Sequence, residues 1–146
     1  MKKPKLIKGN FAIDDRGFVN FNNDYILSKL KRFYIVQNHK TGFIRAWHAH
    51  KHEEKFVICL TGSVMISAVK VKNFKNPNKN EIVENFFLSD RDASVLYIPK
   101  SYANGFKTLE KNTKIMFFST STLAQSKKDD YRFDYDYWNP WKSKFR

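Results

Sequence analysis

Short runs rich in Val, Ile, Phe and Tyr follow one another along this chain, each closed by a cluster of Asn, Asp, Gly, Lys or Pro. Strands are expected at residues 17–22, 31–38, 42–50, 55–61, 63–72, 81–88, 94–98, 105–109 and 113–119. Turn-forming residues fill 38–42 and 76–80. A single short helix is expected at 24–30, where Asp24 can cap it and Ile26, Leu27 and Leu30 share a face. Many short strands with so little helix leave a sandwich, a jelly roll or a barrel as the available architectures.

A length of 146 residues suits one core, so a single domain spanning 1–146 is expected. No apolar run approaches the roughly 18 residues of a membrane span, and the basic start, Met1 to Lys5, leads into no apolar segment of a secretory signal. The lone Cys59 sits among Val57, Ile58 and Leu60 and reads as a buried thiol, which together with the missing signal points to the cytoplasm. The formal charge of +13 draws anions, whether nucleic acid, membrane surface or diphosphate metabolites, although lysines in turns and at the ends also serve simply as solvated surface. A base-stacking barrel needs exposed aromatics interleaved with lysine. Here Phe33, Phe56, Phe86, Phe87, Phe117 and Phe118 stand among apolar neighbours and read as core, so neither nucleic acid nor membrane is an expected partner. The tail 131–146 is too aromatic to hang free and is expected to pack on the barrel or on a partner subunit.

Three of the four histidines fall within residues 48–52. On a strand, Ala46, His48 and His50 face one side, which in a closed barrel is either solvent or lumen. A wetted polar strand end accounts for the same residues. The pattern from Gly42 through His48, His50 and Glu54 to Gly62 resembles the first motif of metal-binding cupins, in which two imidazoles and a carboxylate suit Fe, Mn, Ni or Zn. However, the residue seven places before Gly62 is Lys55, and strand alternation turns Lys55 inward and Glu54 away. Asn104 also stands where the second motif has its histidine. A metal-dependent cupin is thus the lesser reading, and no metal or other cofactor is expected.

A cation and an imidazole in one lumen suit enolate chemistry: the base takes a proton beside a ketone and the fixed charge steadies the oxyanion. The stretches Asp15-Arg16-Gly17-Phe18, Gln37-Asn38-His39, Arg45-Ala46-Trp47-His48, Lys55 to Gly62, Ile98 to Phe106 and Tyr137-Trp138-Asn139-Pro140 together resemble the sugar-nucleotide branch of the cupins. That branch is typified by dTDP-4-dehydrorhamnose 3,5-epimerase and the dTDP-4-keto-6-deoxyglucose 3,4-ketoisomerases, and the likeness spans roughly residues 10–141. It implies an all-β cupin jelly-roll barrel (a double-stranded β-helix) with one or two short helices. It also implies an isomerase acting on a dTDP- or UDP-linked 4-keto-6-deoxyhexose in deoxysugar synthesis for lipopolysaccharide or O-antigen, and a homodimer whose N-terminal strands cross. Position by position, His48 matches the catalytic base, Lys55 the enolate-holding lysine, and Arg45 the diphosphate-binding arginine. His50 and Lys51 match the ketoisomerases' His-Ala-His-Lys run. Tyr34 matches a tyrosine that offers a phenol, Arg16 the arginine that reaches the nucleotide, and Asn104 a position lining the substrate. The blander roles are packing for Tyr34, a solvated turn for Arg16, and a strand-end ammonium snorkelling to water for Lys55. His39 and His52 read as surface.

The chain also departs from both patterns. The epimerases' general-acid tyrosine falls thirteen residues after Asn104, on Phe117, and Phe118 beside it cannot donate a proton either. The aspartate that orients the family's imidazole has no expected counterpart before Arg146. The ketoisomerases lack that tyrosine, but they carry glutamine at the place of Lys55 and have no Trp-Asn-Pro end. Inversion at one carbon and carbonyl migration between carbons 3 and 4 both remain open. A non-catalytic cupin that only binds a nucleotide sugar is the alternative from another class.

Overall fold

The computed structural model describes residues 2–24 and 27–142. Its strands are β1 (Lys5–Ile7), β2 (Asn10–Asp14), β3 (Gly17–Phe21), β4 (Arg32–Gln37), β5 (Ile44–Ala49), β6 (Lys55–Thr61), β7 (Ser63–Lys70), β8 (Val83–Ser89), β9 (Val95–Ile98), β10 (Tyr102–Thr108), β11 (Lys114–Ser119) and, after the helix α1 (Leu123–Lys128), β12 (Tyr131–Arg132). Two five-stranded sheets, ordered β1-β9-β6-β11-β4 and β12-β5-β10-β7-β8, form a jelly roll, with β2–β3 as a separate hairpin. Every described strand pairing is antiparallel.

Alternation sets the core. Val64, Ile66 and Ala68 of β7 join Val57, Leu96, Ile98, Phe106, Ile115 and Phe117 between the sheets. β7 nevertheless lacks an exposed face: Met65 and Val69 are buried on its other side with Trp47, Ala49, Ala103, Trp138 and Trp141. The aromatic tail covers that side. Trp47 Nε1 donates to the Tyr135 and Trp138 carbonyls at 3.2 and 3.0 Å, and Trp138 Nε1 donates to Asn78 O at 2.9 Å. The tail therefore buries the outer face of β5, β10 and β7 as well. At the β6–β7 turn Gly62 takes φ +76°, and a Cβ there would stand 2.5 Å from Thr113 Oγ1.

Each strand expected from the sequence is present, with ends shifted by a few residues. β10 starts earlier than expected because Tyr102, Ala103 and Asn104 already pair with β7. Short β1, β2 and β12 were not anticipated. The helix expected at 24–30 is not what the described part forms: residues 25 and 26 lie outside the described residues, and 27–30 make a turn closed by Leu30 N–H donating to Leu27 O at 3.0 Å. Leu27 is 61% exposed. The one described helix is α1, opened by a capping box between Thr122 and Gln125.

The reading of the phenylalanines as core also needs correction. Only Phe117 is buried; Phe56, Phe86 and Phe118 are half-buried, and Phe33 and Phe87 are 62% and 60% exposed. Phe33, Phe56, Phe87 and Phe118 alternate with inward residues and so face away from the lumen, whereas Phe86 packs against the core between the sheets. Cys59 is half-buried, its thiol pushed up to about 11 chiefly by burial. No helix among the described residues is long and apolar enough to cross a membrane.

The tail's docking gives a direct stability test. Trp138→Ala removes an indole packed edge-on against Trp47 at 5.5 Å, and is expected to destabilise the fold by ~3–5 kcal/mol in a urea titration.

Candidate active site

The site is built where β5 is displaced against β10. Asn104 pairs with His48, but Phe106 pairs with Arg45, so β5 carries one extra residue across this stretch. Asn104 and Phe106 share a face of β10; Arg45 and His48, three positions apart, consequently share the facing side of β5. The alternation expected for Ala46 and His48 is broken at this bulge. Ala46 instead lies against Gly105, where a Cβ would meet Ala46 Cβ at 2.4 Å. Asn104 Nδ2 donates to the His48 carbonyl at 2.9 Å and holds the displaced strand.

A cleft of about 720 Å³ opens at this point, walled by Tyr34, Arg45, His48, Lys55, Asn104 and Phe117 among others. Lys55, at the start of β6, pairs with Ser119 and Ile98 and is 3% exposed. Glu54 turns the other way and accepts from Tyr97 Oη at 2.7 Å. Tyr34 lies directly opposite Phe117 in the β4–β11 register, and the two rings stack at 5.1 Å and 6°. Arg45 is exposed at the cleft wall.

Behind His48 lies His50, its ring centroid 4.4 Å away. His50 is buried, with Nδ1 against the Asp129 carbonyl, and does not itself line the cleft. Lys51 and Arg16 also stand outside the cleft. The Lys51 ammonium lies over Tyr131 and Phe74, 4.9 and 5.3 Å from the ring centroids, and Arg16 is held by Asp14 at the tip of the β2–β3 hairpin. His39 and His52 are exposed.

Two residues here were missed from the sequence. Asp130, between α1 and β12, brings Oδ1 to 2.7 Å from His48 Nε2, an ion-pair distance without the alignment of a hydrogen bond. An aspartate thus meets this imidazole, contrary to the expectation that none would. The capping box is the sequence signal that could have announced α1 and the Asp129-Asp130 pair behind it. The Asp129 carboxylate accepts from Lys51 and His52 N–H at 2.9 and 2.8 Å, tying that junction to the end of β5. The second missed residue is Glu53, fully enclosed beside Arg32, His50 and Lys55.

Burial, then Lys55 and His50, pull the His48 imidazole well below its ordinary range, with Asp130 opposing them. Burial and then Lys55 also lower His50, against Glu53. Both rings are neutral bases at neutral pH. Burial lowers Lys55 to about 8 while Glu53 holds it up, so it is still mostly ammonium at pH 7. Burial and the Glu53 charge raise Tyr34, with Arg32 opposing, and keep its phenol protonated. Burial works against Asp130, but His48 and Arg132 hold it below the usual carboxylate range. The cleft therefore combines a neutral imidazole backed by a carboxylate, a buried cation and a phenol. Among the described residues, no group of three or more His, Cys, Asp or Glu side chains converges to hold a metal ion.

A family model described as dTDP-4-dehydrorhamnose 3,5-epimerase matches residues 2–141. No curated protein sequence matches. Among solved structures, an epimerase of that name from Bacillus anthracis, with TDP and PPi bound, shares 22% identity over 97% of this chain and 86% of its own, at a TM-score of 0.78. The TDP-quinovose 3,4-ketoisomerase of Campylobacter jejuni shares 26% over 93% and 96%, at 0.67. A 3,4-ketoisomerase variant from Thermoanaerobacterium thermosaccharolyticum, in complex with TDP-4-keto-6-deoxyglucose, shares 21% over 94% and 91%, at 0.69.

The depressed imidazoles give a pH dependence of stability. Unfolding returns His48 and His50 to their ordinary value of 6.5, so below that pH the unfolded chain binds more protons than the folded one. Their contribution to stability is complete above that value and falls as the pH drops through it. Urea midpoints should therefore be lower at about pH 5.5 than at about pH 7.5, and His48→Asn with His50→Gln should flatten the difference.

Proposed function

The chain belongs to the dTDP-4-dehydrorhamnose 3,5-epimerase family, and on that basis we propose that it removes a proton beside the ketone of a dTDP- or UDP-linked 4-keto-6-deoxyhexose, as an epimerase or 3,4-ketoisomerase. The observation that carries this is the pairing, in one cleft, of a neutral His48 backed by Asp130 at 2.7 Å with the buried ammonium of Lys55. Asp130 faces Nε2, which leaves Nδ1 to take the substrate proton, and the carboxylate then stabilises the imidazolium that forms. Lys55 supplies fixed positive charge at the ketone oxygen as it becomes an enolate, in a wall from which water is largely excluded.

Proton return is assigned to Tyr34. It lines the cleft with its phenol held protonated, whereas His50 sits behind His48. Delivery to the carbon that lost its proton, from the other face, inverts it; delivery to carbon 4, with the carbon-3 hydroxyl proton passing to the carbon-4 oxygen, moves the carbonyl from carbon 4 to carbon 3. Arg45, exposed on the cleft wall, suits a diphosphate. Asn104 acts through the His48 backbone it holds.

Arg16 and Lys51 have no place in the cleft of one chain. A homodimer would give Arg16 a route to the nucleotide of a partner. The β2–β3 hairpin exposes Phe11, Ile13, Phe18 and Val19, and β4 exposes Phe33 and Ile35, a quantity of apolar surface that a second copy would cover. The setting in this reading is cytoplasmic synthesis of a deoxysugar for a surface polysaccharide such as O-antigen or lipopolysaccharide. Phe117 and Asn104, standing where epimerases have proton-transfer residues, favour the second reading of a non-catalytic nucleotide-sugar binder.

Proton NMR in deuterated buffer with dTDP-4-keto-6-deoxyglucose, and with its UDP-linked 2-acetamido counterpart, separates the readings. Deuterium is expected at carbon 3 of an epimer or of exchanged substrate, or at carbon 4 of a ketoisomer, its entry slowed ~10²–10⁴-fold by His48→Ala and ~10²-fold or more by Lys55→Met. Nucleotide binding without exchange into either sugar would leave the binding module as the better account.

A further inference from the structure

Among the described residues, Glu53 is the only carboxylate with its side chain entirely out of water, and it is poorly paired. Arg32 Nη2 reaches Oε2 at 3.5 Å, but that guanidinium is divided: Nε donates to Ser121 O at 3.2 Å and Nη2 to Ser126 Oγ at 3.0 Å. Glu53 Oε1 accepts no hydrogen bond. His50 Nε2 stands 3.8 Å and Lys55 Nζ 4.0 Å from it. His50 Nδ1 lies against the Asp129 carbonyl, an acceptor only, so Nδ1 carries the proton and the neutral ring turns a bare Nε2 toward Glu53. A lone pair and a carboxylate facing each other in a dry interior repel unless a cation stands with them. The Lys55 ammonium is that cation.

Resting on the proposed reaction, in which the charge of Lys55 holds the enolate, we infer that Glu53 is a positioning residue: it keeps Lys55 protonated in the cleft wall. Charges face Lys55 from several elements. Arg32 on β4 and Arg132 on β12 disfavour its ammonium, as does burial, while Asp130 favours it along with Glu53. Tyr34 on β4, His48 on β5 and His50 just after it complete the titratable surroundings. Asp130 is already engaged by His48 and by Arg132 at 3.2 Å. Ser119 and Ile98, the strand partners of Lys55, bring no charge. Glu53, whose Oε1 is left free of the long contact that Arg32 makes to Oε2, is thus the available counter-charge, two residues before Lys55 and turned to the same side. The inference makes Lys55 a competent cation at neutral pH because of Glu53, and a largely neutral amine without it.

The test follows Lys55 itself. Carbon-detected NMR of the lysine Cε across pH, on the full chain without substrate, gives its titration midpoint in the wild type, Glu53→Gln and Glu53→Asp. Removing an opposite charge at this distance is expected to lower the midpoint by about 1–3 units in Glu53→Gln. Glu53→Asp, which keeps the charge at longer reach, should shift it less and in the same direction. The basic limb of kcat should move down with the midpoint while KM stays nearly constant. A folded Glu53→Gln with an unmoved Lys55 midpoint overturns the inference, as does lost activity with an unmoved pH profile, the mark of a merely structural residue. Should Glu53→Gln not fold, a Glu53→Asp midpoint equal to the wild type's overturns it. Because the titration needs no sugar, a shifted midpoint in a protein that exchanges neither substrate supports the charge coupling and overturns the proposed activity instead.

Discussion

Charge inside the barrel constrains the arrangement around it. Arg32 comes from β4, Glu53 and Lys55 from the approach to β6, and His50 from the end of β5, and Glu53 and Lys55 are almost completely withdrawn from water. Removing one member of such a set strands the others in low dielectric, which costs more than the set contributes while intact. The strands must therefore hold register closely enough to keep the Glu53 carboxylate 3.5 Å from Arg32 and 4.0 Å from Lys55. The surrounding wall supplies that rigidity: Val57, Ile115 and Phe117 are packed without gaps to solvent a residue or two away. The same burial that makes the cluster expensive keeps His48 neutral, as a base beside a ketone must be, and leaves Lys55 dependent on Glu53 for its charge.

The aromatic tail serves this arrangement from the other side of the sheet. Trp47 adjoins His48 in sequence and points the opposite way, into Trp138 and Trp141 at 5.5 and 5.1 Å. Its backbone also exchanges hydrogen bonds with Phe133, at 3.0 and 3.1 Å. The strand bearing the imidazole is thus clamped through its neighbour, and the bulge that turns Arg45 and His48 to one face is fixed from behind. The indole N–H groups of Trp47, Trp138 and Trp141 all donate to backbone carbonyls, which fixes the orientation of the tail on the sheet.

How much of this could be read from the sequence depended on whether the determinant was local. The inward turn of Lys55 and outward turn of Glu54 follow from alternation and a glycine count, and the strands follow from β-branched runs. Alternation carries equally to Glu53, but an acid reads as surface until its partner is known, and Arg32 lies 21 residues earlier on another strand. The bulge on β5 leaves no mark in Arg45-Ala46-Trp47-His48; it exists because of the register with β10. Phe33 and Phe87 were misread as core because apolar neighbours in sequence do not say which sheet face is covered. Asp130 was half legible: the Thr122–Gln125 box marks a helix, but nothing local says that its exit meets a histidine some eighty residues earlier.

The position of the phenol bears on the product. Phe117 occupies the place of the tyrosine that the resemblance calls for, and Tyr34 is its direct partner across the β4–β11 register. Neighbouring strands lie about 4.8 Å apart, so in the proposed reaction Tyr34 would donate from one strand to the side of that place. That spacing exceeds the separation of adjacent ring carbons in a sugar. In the proposed reaction, with His48 and Lys55 at positions that match the family's base and cation, the proton would be removed at the usual place and returned from an unusual one. A donor moved sideways in this way reaches either a different face of the same carbon or a different carbon. Which of these it does is what separates an epimerase from a ketoisomerase, so the Phe117–Tyr34 pair, more than the base, decides the outcome of the proposed reaction.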